Sequence, residues 1–193
     1  MTATPKRPAA LITGSAARLG LTFARSLAEQ GYDIALHYNH SAADAGTAID
    51  EIRALGVDCE GFQFDLDCED PGELVDRVIA RFKDLDVLIN SASAYAAATI
   101  DETTPALLRE QFSTNFFAPF FLSRRFAQLV ANGSIVNILD NKIAFQQNNY
   151  AAYLLSKKTL AELTRLAAVE FAPRVRVNGI APGVVLPGES RTD

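Results

Sequence analysis

Cysteine, positive charge and long apolar runs are all scarce in this sequence of 193 residues. The two cysteines, Cys59 and Cys68, are too few for a disulfide framework and suit a reducing compartment. No apolar run approaches the length of a transmembrane helix, and the run from Pro8 to Thr13 is too short for the core of a signal peptide. The net charge of -5 offers no basic surface to nucleic acid or to an anionic membrane. We therefore expect a cytoplasmic protein whose partners are small molecules.

The rest of the composition predicts one globular domain over residues 1–193. Apolar residues make up 49% of the chain and charged residues 21%, and there is no internal repeat or linker. The predicted strands cover 9–13, 34–38, 59–64, 86–89, 134–139 and 175–180, and the predicted helices cover 19–30, 41–55, 70–82, 104–130 and 150–171. Near-continuous apolar strands that alternate with helices are typical of a parallel sheet covered on both faces. We therefore predict a doubly wound, Rossmann-type α/β fold.

Three local signals refine the helix predictions. Ser41 followed by Asp44 is similar to a capping box, and Asp70 is a cap followed by Pro71 at the first helical position. Pro119 falls inside the fourth predicted helix, where we expect it to bend one continuous helix.

Polar residues close the predicted strands. They are Thr13 and Gly14, Asn39 and His40, Asp65, Asn90 and Ser91, and Asp140. In an open parallel sheet the ligand binds at the carboxyl ends of the strands, so these residues should line one edge. Tyr153 begins the helix that returns over that edge. We therefore predict a binding site assembled from many strand ends.

The segment from Gly14 to Gly20 connects the first predicted strand to the first predicted helix. Glycine lets the backbone approach a phosphate closely, and the N-terminus of the helix supplies free N–H donors. The segment departs from the G-x-G-x-x-G pattern because Arg18 occupies a position where another glycine is common. We interpret it as a phosphate-binding turn, with a tight turn that binds nothing as the alternative.

Tyr153 and Lys157 stand four residues apart in the last predicted helix, so they share a helix face. A nearby cation favours the phenolate and should lower the pKa of the tyrosine from its ordinary value of about 10. Such a pair supplies a usable proton donor near neutral pH. This spacing arises by chance in roughly one such chain in eight. The alternative is therefore a packed tyrosine beside a solvated lysine.

Together, these motifs resemble the short-chain dehydrogenase/reductase family over essentially the whole chain. The resemblance rests, in order, on Thr13-Gly14-x-x-x-Arg18-x-Gly20, Asp65, Asn90-Ser91-Ala92-Ser93, Asn115, Tyr153-x-x-x-Lys157 and the segment from Arg176 to Gly183. Within the family the sequence looks most like the pteridine reductases. The residues that carry this closer likeness are Arg18, 36–38, 41–43, Ser93, Tyr95, and Asp140, which stands where most members have a serine.

The resemblance implies a role for each matching residue. Tyr153 matches the proton donor, and Lys157 matches the lysine that holds the nicotinamide ribose. Asn115 matches an asparagine that supports the proton relay, with an ordinary helix-face amide as the alternative. The implied cofactor-binding residues are Gly14, Arg18, Leu19, Gly20, Asn39, His40, Ser41, Asp65, Leu66, Asn90, Ser91, Ala92, Tyr153, Lys157, Pro182 and Gly183. The implied substrate-binding residues are Arg18, Ser93, Tyr95, Asp140 and Tyr153.

The residues that follow the second predicted strand indicate the cofactor. NAD-specific folds usually place an acid there to bind the ribose 2′-hydroxyl, whereas the segment Tyr38-Asn39-His40-Ser41 contains none. The guanidinium of Arg18 lies nearby in the expected fold and suits a phosphate monoester. We therefore predict NADPH, with a solvated Arg18 as the alternative.

Three functions fit these residues. The first is reduction of a pterin-type substrate (dihydropteridine, dihydrobiopterin or dihydrofolate), in which Lys157 and Asp140 assist Tyr153 as catalytic groups and Tyr95 stacks on the pterin. The second is a carbonyl reductase, such as one that acts on 3-oxoacyl thioesters. The third is a dinucleotide-binding protein without catalysis. Asp140 separates the first two, because an ionised carboxylate accepts from pterin N–H groups but opposes the oxyanion of a ketone. The alternatives are an Asp140 that only caps the following loop and a Tyr95 that packs in the core.

The sequence departs from the family pattern at two places. Ser91 replaces an asparagine that is common in the family. The chain ends at Asp193, where members continue into a segment that covers the substrate and into a last helix and strand. We expect either a C-terminally shortened fragment or a natural ending with questionable catalysis. The family's homotetramers lead us to expect a homo-oligomer.

Overall fold

The computed structural model describes residues 7–185, and these residues form one parallel sheet with helices on both faces. The strands are β1 (Ala9–Ile12), β2 (Asp33–Tyr38), β3 (Cys59–Gln63), β4 (Leu85–Asn90), β5 (Gly133–Ile138) and β6 (Val175–Ile180). Their order is β3-β2-β1-β4-β5-β6, and every neighbouring pair is parallel. The predicted doubly wound α/β fold is confirmed. The strand order reverses direction at β1, which opens a crevice at the carboxyl ends of β1 and β4.

Six α-helices connect the strands. They are α1 (Arg18–Glu29), α2 (Ala42–Arg53), α3 (Pro71–Phe82), α4 (Pro105–Phe112), α5 (Ala118–Leu129) and α6 (Ala151–Glu170). A π-helical turn (Ser113–Phe117) joins α4 to α5, and a 3₁₀ turn (Asn141–Ala144) follows β5. One face of the sheet packs against α3 and α5 through large side chains such as Phe64 and Phe126. The other face packs against α1 and α2 through small ones such as Ala24 and Ala48.

Both capping predictions can be compared with the structure. The Asp70 carboxylate accepts a hydrogen bond from the N–H of Gly72 at 2.9 Å, and α3 begins at Pro71 as predicted. The capping box at Ser41 is wrong, because Ser41 occupies the N-cap position of α2 but its side chain makes no capping bond. Its backbone, with φ -86° and ψ 58°, departs from the extended geometry that aims an N-cap side chain at the helix.

The helix predicted over 104–130 is present as an unbroken helical run made of α4, the π turn and α5, and its irregularity lies just before Pro119. Pro119 has no N–H, so it cannot donate to the carbonyl of Asn115 one turn earlier. The structure accommodates this before the proline rather than at it: the N–H of Ala118 bonds to the carbonyl of Ser113, five residues back. The resulting π turn carries Asn115, and such turns are frequent at functional sites.

Three further expectations concern the cysteines, membrane spans and the C-terminal end of the chain. Cys59 is buried and Cys68 is exposed, and both are free thiols. No helix within residues 7–185 is long and apolar enough to cross a membrane. The predictions about the ending at Asp193 lie outside the described residues.

Candidate functional site

A cavity of about 750 Å³ opens at the carboxyl edge of the sheet, where the strand order predicts a ligand. Most of the predicted site residues line it. They are Gly14, Arg18, Leu19, Gly20, Asn39, His40, Ser41, Asp65, Leu66, Ser91, Ala92, Ser93, Asp140, Tyr153, Lys157, Pro182 and Gly183. Three predicted residues are not among the lining residues, namely Asn90, Tyr95 and Asn115.

The turn after β1 requires both of its glycines. Gly14 has a φ of +63°, and a Cβ there would lie 2.9 Å from the Cα of Ala92. A Cβ on Gly20 would lie 2.2 Å from the carbonyl oxygen of Gly14. The N-cap residue Ala17 has no side-chain acceptor, so no side chain caps the first-turn N–H groups of α1. A turn with this close backbone approach and an uncapped helix N-terminus fits a pyrophosphate.

His37 holds this turn from below, a role that the sequence reasoning missed. Its side chain is 2% exposed. The Gly14 N–H donates to Nδ1 at 3.0 Å, and Nε2 lies 3.0 Å from the carbonyl oxygen of Phe64. Nδ1 must therefore be the acceptor and Nε2–H the donor, which defines one neutral tautomer. Burial lowers the pKa of His37 to about 4, so the ring stays neutral at ordinary pH.

Thr13 ties the end of β1 to the end of β4. Its hydroxyl oxygen accepts from the N–H groups of Ser91 at 2.9 Å and Ala92 at 3.0 Å. Asn90 faces away from the cavity, because side chains alternate along a strand. Its buried amide donates instead to the Asn137 carbonyl oxygen at 2.8 Å. The side chain of Asn90 thus joins β4 to β5, and its expected role in cofactor binding stays a prediction.

Asn115 is fully buried in the π turn and organises the loop after β4. Its carbonyl oxygen accepts from the Ala94 N–H at 2.9 Å and the Ser93 hydroxyl at 3.1 Å. Its amide donates to the Ala94 carbonyl oxygen at 2.9 Å and to the Ser156 hydroxyl at 3.0 Å. All of its side-chain contacts are therefore internal, and it holds Ser93 at the cavity wall.

The innermost end of the cavity is built from β5 and α6. The Tyr153 hydroxyl donates to one carboxylate oxygen of Asp140 at 2.7 Å. The other oxygen of Asp140 accepts from the Lys142 N–H at 2.8 Å. The buried ammonium of Lys157 donates to the Ile138 carbonyl oxygen at 2.8 Å and lies 5.9 Å from the centre of the Tyr153 ring. Asp140 thus caps the following turn and also contacts Tyr153, so it does more than cap the loop, which was the alternative to a catalytic role.

The expected lowering of the Tyr153 pKa is wrong. Burial raises the pKa of Tyr153, and the hydrogen bond to Asp140 and its negative charge raise it further. Lys157 does not offset this, since burial lowers its own pKa to about 8 and its ammonium is directed at a backbone carbonyl. The sequence-based expectation paired Tyr153 with a cation, whereas the structure pairs its hydroxyl with an acceptor. Tyr153 is therefore held in its protonated form.

Aromatic rings and a lysine lie next to Tyr153, beside the residues that line the cavity. Tyr95 is 54% exposed, so the alternative of a core tyrosine is excluded. Its ring stacks on Tyr150 at 4.9 Å and meets the edge of Tyr153 at 4.7 Å. The Lys142 ammonium lies 4.8 Å from the centre of the Tyr150 ring and 5.5 Å from that of Tyr95. Sequence reasoning missed Lys142 and Tyr150. Their closeness in the sequence to Asp140 and Tyr153 could have indicated that they lie near the site.

The far end of the cavity lies beyond β2 and β3. Asn39, His40 and Ser41 line it, and none of the three is an acid. An absent carboxylate removes repulsion of a phosphate at this position. Asp65 also lines the cavity, and a hydrogen bond from the Asp67 N–H lowers the pKa of its carboxyl. The residues from the glycine turn to this loop therefore fit a dinucleotide that carries an additional phosphate.

Fold and site define the class of protein. Residues 8–192 match the family model for the short chain dehydrogenases, and the chain belongs to this family. The family resemblance on which the sequence interpretation rested is confirmed.

Individual relatives narrow the comparison. The chain is 32% identical to pteridine reductase 1 of Leishmania tarentolae, an alignment that covers 98% of this chain and 81% of that protein. It is 30% identical to a 3-oxoacyl-[acyl-carrier-protein] reductase of Staphylococcus aureus, with 92% and 74% covered. Among solved structures it is similar to FolM alternative dihydrofolate reductase 1 of Brucella suis in complex with NADP. That comparison has a TM-score of 0.89 and 31% identity and covers 94% of this chain and 77% of the other.

Proposed function

We propose that this protein is an NADPH-dependent reductase of a pterin-type substrate. The observation that carries the proposal is the 2.7 Å hydrogen bond from the Tyr153 hydroxyl to Asp140, where most family members are expected to have a serine. A carboxylate here accepts hydrogen bonds, and the amino and ring N–H groups along the edge of a pterin donate them. The likeness to pteridine reductase 1 supports the same substrate class.

The cofactor-binding half of the proposal rests on the other end of the cavity. The glycine turn would hold the pyrophosphate, Asp65 and Leu66 the adenine, and Lys157 and Tyr153 the nicotinamide ribose. Arg18 and the acid-free residues 39–41 would hold a 2′-phosphate. NADP in the Brucella suis relative supports this assignment. When bound there, NADPH would supply the hydride for the substrate carbon.

The residues of this chain then have distinct tasks. Asp140 accepts from the substrate's N–H donors and so orients the ring. Tyr153, whose raised pKa keeps it protonated, donates its proton to the ring nitrogen of the reduced C=N bond. Lys157, whose ammonium lies 5.9 Å from the centre of the Tyr153 ring, would assist by holding the nicotinamide ribose beside the phenol. Asn115 acts as a positioning residue through Ser93 and Ser156.

The second candidate, a 3-oxoacyl thioester reductase, is favoured by the 30% identity to the Staphylococcus aureus enzyme. Reduction of a ketone builds negative charge on oxygen, and donors must stabilise it. An ionised Asp140 offers only acceptors there. The two candidates therefore predict opposite responses to the same substitution.

The test is Asp140→Ser, with Asp50→Ser on the exposed face of α2 as the matched control. We expect Asp140→Ser to lower kcat/KM for dihydropterin reduction at least tenfold, or about 1.4 kcal/mol. Reduction of a simple ketone should hold or improve, because a serine hydroxyl donates to its oxygen. The decrease in NADPH absorbance measures both reactions.

Three results would contradict the proposal. Full dihydropterin activity in Asp140→Ser, or a parent protein that prefers 3-oxoacyl thioesters, would exclude the pterin assignment and leave the family intact. A parent that binds NADPH but reduces neither class of substrate would support a binding protein without catalysis.

We also propose a homo-oligomer. Apolar side chains are exposed on α6 at Leu155, Leu166 and Val169, and around the π turn at Phe117 and Phe120. Exposed apolar groups of this size on neighbouring helices are suited to burial against a second copy. Light scattering at micromolar concentration measures the mass, and a monomer would contradict this proposal.

A further inference from the structure

Lys142 lies beside the site, two residues after Asp140, and it has no acidic partner among residues 7–185. Its ammonium lies 3.4 Å from the Tyr95 hydroxyl and 4.8 Å from the centre of the Tyr150 ring. Within residues 7–185 no ion pair involves Lys142. The nearest catalytic carboxylate, Asp140, is already bonded to the Tyr153 hydroxyl and to the backbone N–H of Lys142. A solvent-accessible ammonium is thus left beside two aromatic rings.

Hydrogen bonds hold the backbone around these rings in place. Lys142 lies in the 3₁₀ turn that Asp140 caps, so its main chain is bonded directly to the catalytic carboxylate. The segments that carry Tyr95 and Tyr150 are joined through Ala98. Its N–H donates to the Asn149 carbonyl oxygen at 2.8 Å, and its carbonyl oxygen accepts from the Ala151 N–H at 3.0 Å. We call Tyr95, Tyr150 and Lys142 the outer platform.

The outer platform and Asp140 form an ordered series of chemical groups. Asp140 and Tyr153 line the cavity, the Tyr95 ring contacts Tyr153, and the Lys142 ammonium lies 5.5 Å from the centre of the Tyr95 ring. Asp140 accepts N–H donors, the rings offer a stacking surface, and Lys142 attracts an anion. A ligand that matches all three has a heteroaromatic head with N–H groups, an apolar or aromatic middle and an anionic tail.

Magnitudes favour an anion over the rings as the partner of Lys142. An exposed cation–π contact is weak, whereas a hydrogen bond between a charged donor and a charged acceptor is stronger than one between neutral groups. The ammonium therefore gains by leaving the ring faces for a carboxylate. The long, flexible stem of lysine permits this movement.

We propose that Lys142, together with Tyr95 and Tyr150, is a specificity-determining subsite for the carboxylate tail of the substrate. This inference rests on the proposed function and names its substrate class more closely. The preferred substrates are pterins with an aryl-linked carboxylate tail, such as dihydrofolate. Pterins with a neutral side chain, such as 7,8-dihydrobiopterin, gain nothing from the subsite.

The test is Lys142→Met, which keeps the length of the stem and removes the charge. Lys158→Met is the matched control, because Lys158 is a lysine on α6 whose ammonium bonds to Gln146 instead. We expect kcat/KM for dihydrofolate to fall about tenfold or more in Lys142→Met, mainly through KM, while the value for dihydrobiopterin stays within about twofold. Added salt should narrow the difference between the two substrates in the parent and not in the variant.

Equal losses for both substrates, or no loss for dihydrofolate, would overturn the subsite. Isothermal titration of each pterin against the NADP-loaded protein gives a second readout that needs no turnover. A parent that reduces neither pterin would contradict the proposed function, and the titration would still test whether Lys142 binds the carboxylate tail. A Kd for dihydrofolate that is the same in parent and Lys142→Met overturns it, and a selective rise supports it.

Discussion

The two ends of the cavity rely on different groups, namely backbone at the cofactor end and side chains at the substrate end. At the cofactor end the decisive groups are backbone, since the turn needs Gly14 and Gly20 for space and His37 accepts from a backbone N–H. At the substrate end they are side chains, with the Tyr153 hydroxyl bonded to Asp140 and the Lys142 ammonium over the outer rings. Backbone geometry suits a ligand that many related proteins bind in the same way. Side chains can be exchanged one at a time, so this end can change its substrate while the other end is kept.

The two ends also differ in how they carry charge. The buried titratable group at the cofactor end, His37, is neutral at ordinary pH and fully hydrogen-bonded. At the substrate end the buried Lys157 has a pKa of about 8, so it carries its charge at pH 7 against the cost of burial. We infer that the charge on Lys157 lowers the stability of the fold at pH 7, whereas His37 has no such cost, and three measurements test these differences.

The largest effect is expected at Lys157. Burial lowers its pKa from an ordinary value of 10.5 to about 8. Between these values the unfolded chain holds a proton that the folded chain has released, so stability rises with pH there, and below pH 8 the full cost remains. That cost is roughly 3 kcal/mol. We expect the stability of Lys157→Met relative to the parent to be greatest at pH 7 and to fall by about this amount by pH 10.

Urea unfolding of the cofactor-free proteins at pH 7 and pH 10 measures this shift. The Met side chain also leaves the Ile138 carbonyl without its donor, but that loss does not depend on pH, so the change in the difference is the informative quantity. Lys158→Met serves as the control and should show no such change. A pH-independent difference for Lys157→Met would show that folding does not lower the pKa of Lys157.

The next effect concerns the one charged contact proposed at the cofactor end. Arg18→Ala should weaken NADPH binding by about 1.5–3 kcal/mol, because a charge-assisted bond to phosphate is lost. NADH affinity should change little, so the preference for NADPH narrows. Fluorescence titration of both cofactors measures the difference, with Arg25→Ala on the same helix as the control. Equal affinities for both cofactors in the parent would remove the basis of this assignment.

The smallest effect is expected at His37, and two substitutions separate its two hydrogen bonds. His37→Asn keeps an acceptor near the Nδ1 position for the Gly14 N–H, whereas His37→Gln keeps a donor near the Nε2 position for Phe64. If the glycine turn depends on the first bond, the Gln variant should lose about 1 kcal/mol of affinity for NADPH and for NADH alike. The Asn variant should lose less, and kcat should hold in both. Parent-like NADPH affinity in the Gln variant would show that the turn holds itself.

Local patterns in the sequence were sufficient for most of the scaffold. The strand at Val175–Ile180 and the start of α3 at Pro71 follow from apolar runs and a proline after a cap, which depend only on neighbouring residues. Most cofactor-end residues could be predicted for the same reason, because a strand, a glycine turn and a helix are contiguous in the chain. The π turn could not, since its position depends on how the helix relieves the missing N–H of Pro119 while burying Asn115.

The doubly wound fold and the residues that close its strands could be predicted from the chain alone, because they follow from hydrophobic periodicity and from the geometry of parallel sheets. Packing determines which of these residues face the cavity, since the Asn90 side chain bonds to Asn137 and the Asp140 side chain bonds to Tyr153. Packing also determines the protonation state of Tyr153. Its pKa depends on desolvation and on the distance to Asp140, and neither can be read from the spacing of thirteen residues in the sequence. Spacing placed Lys157 beside Tyr153, and burial decided what that proximity does.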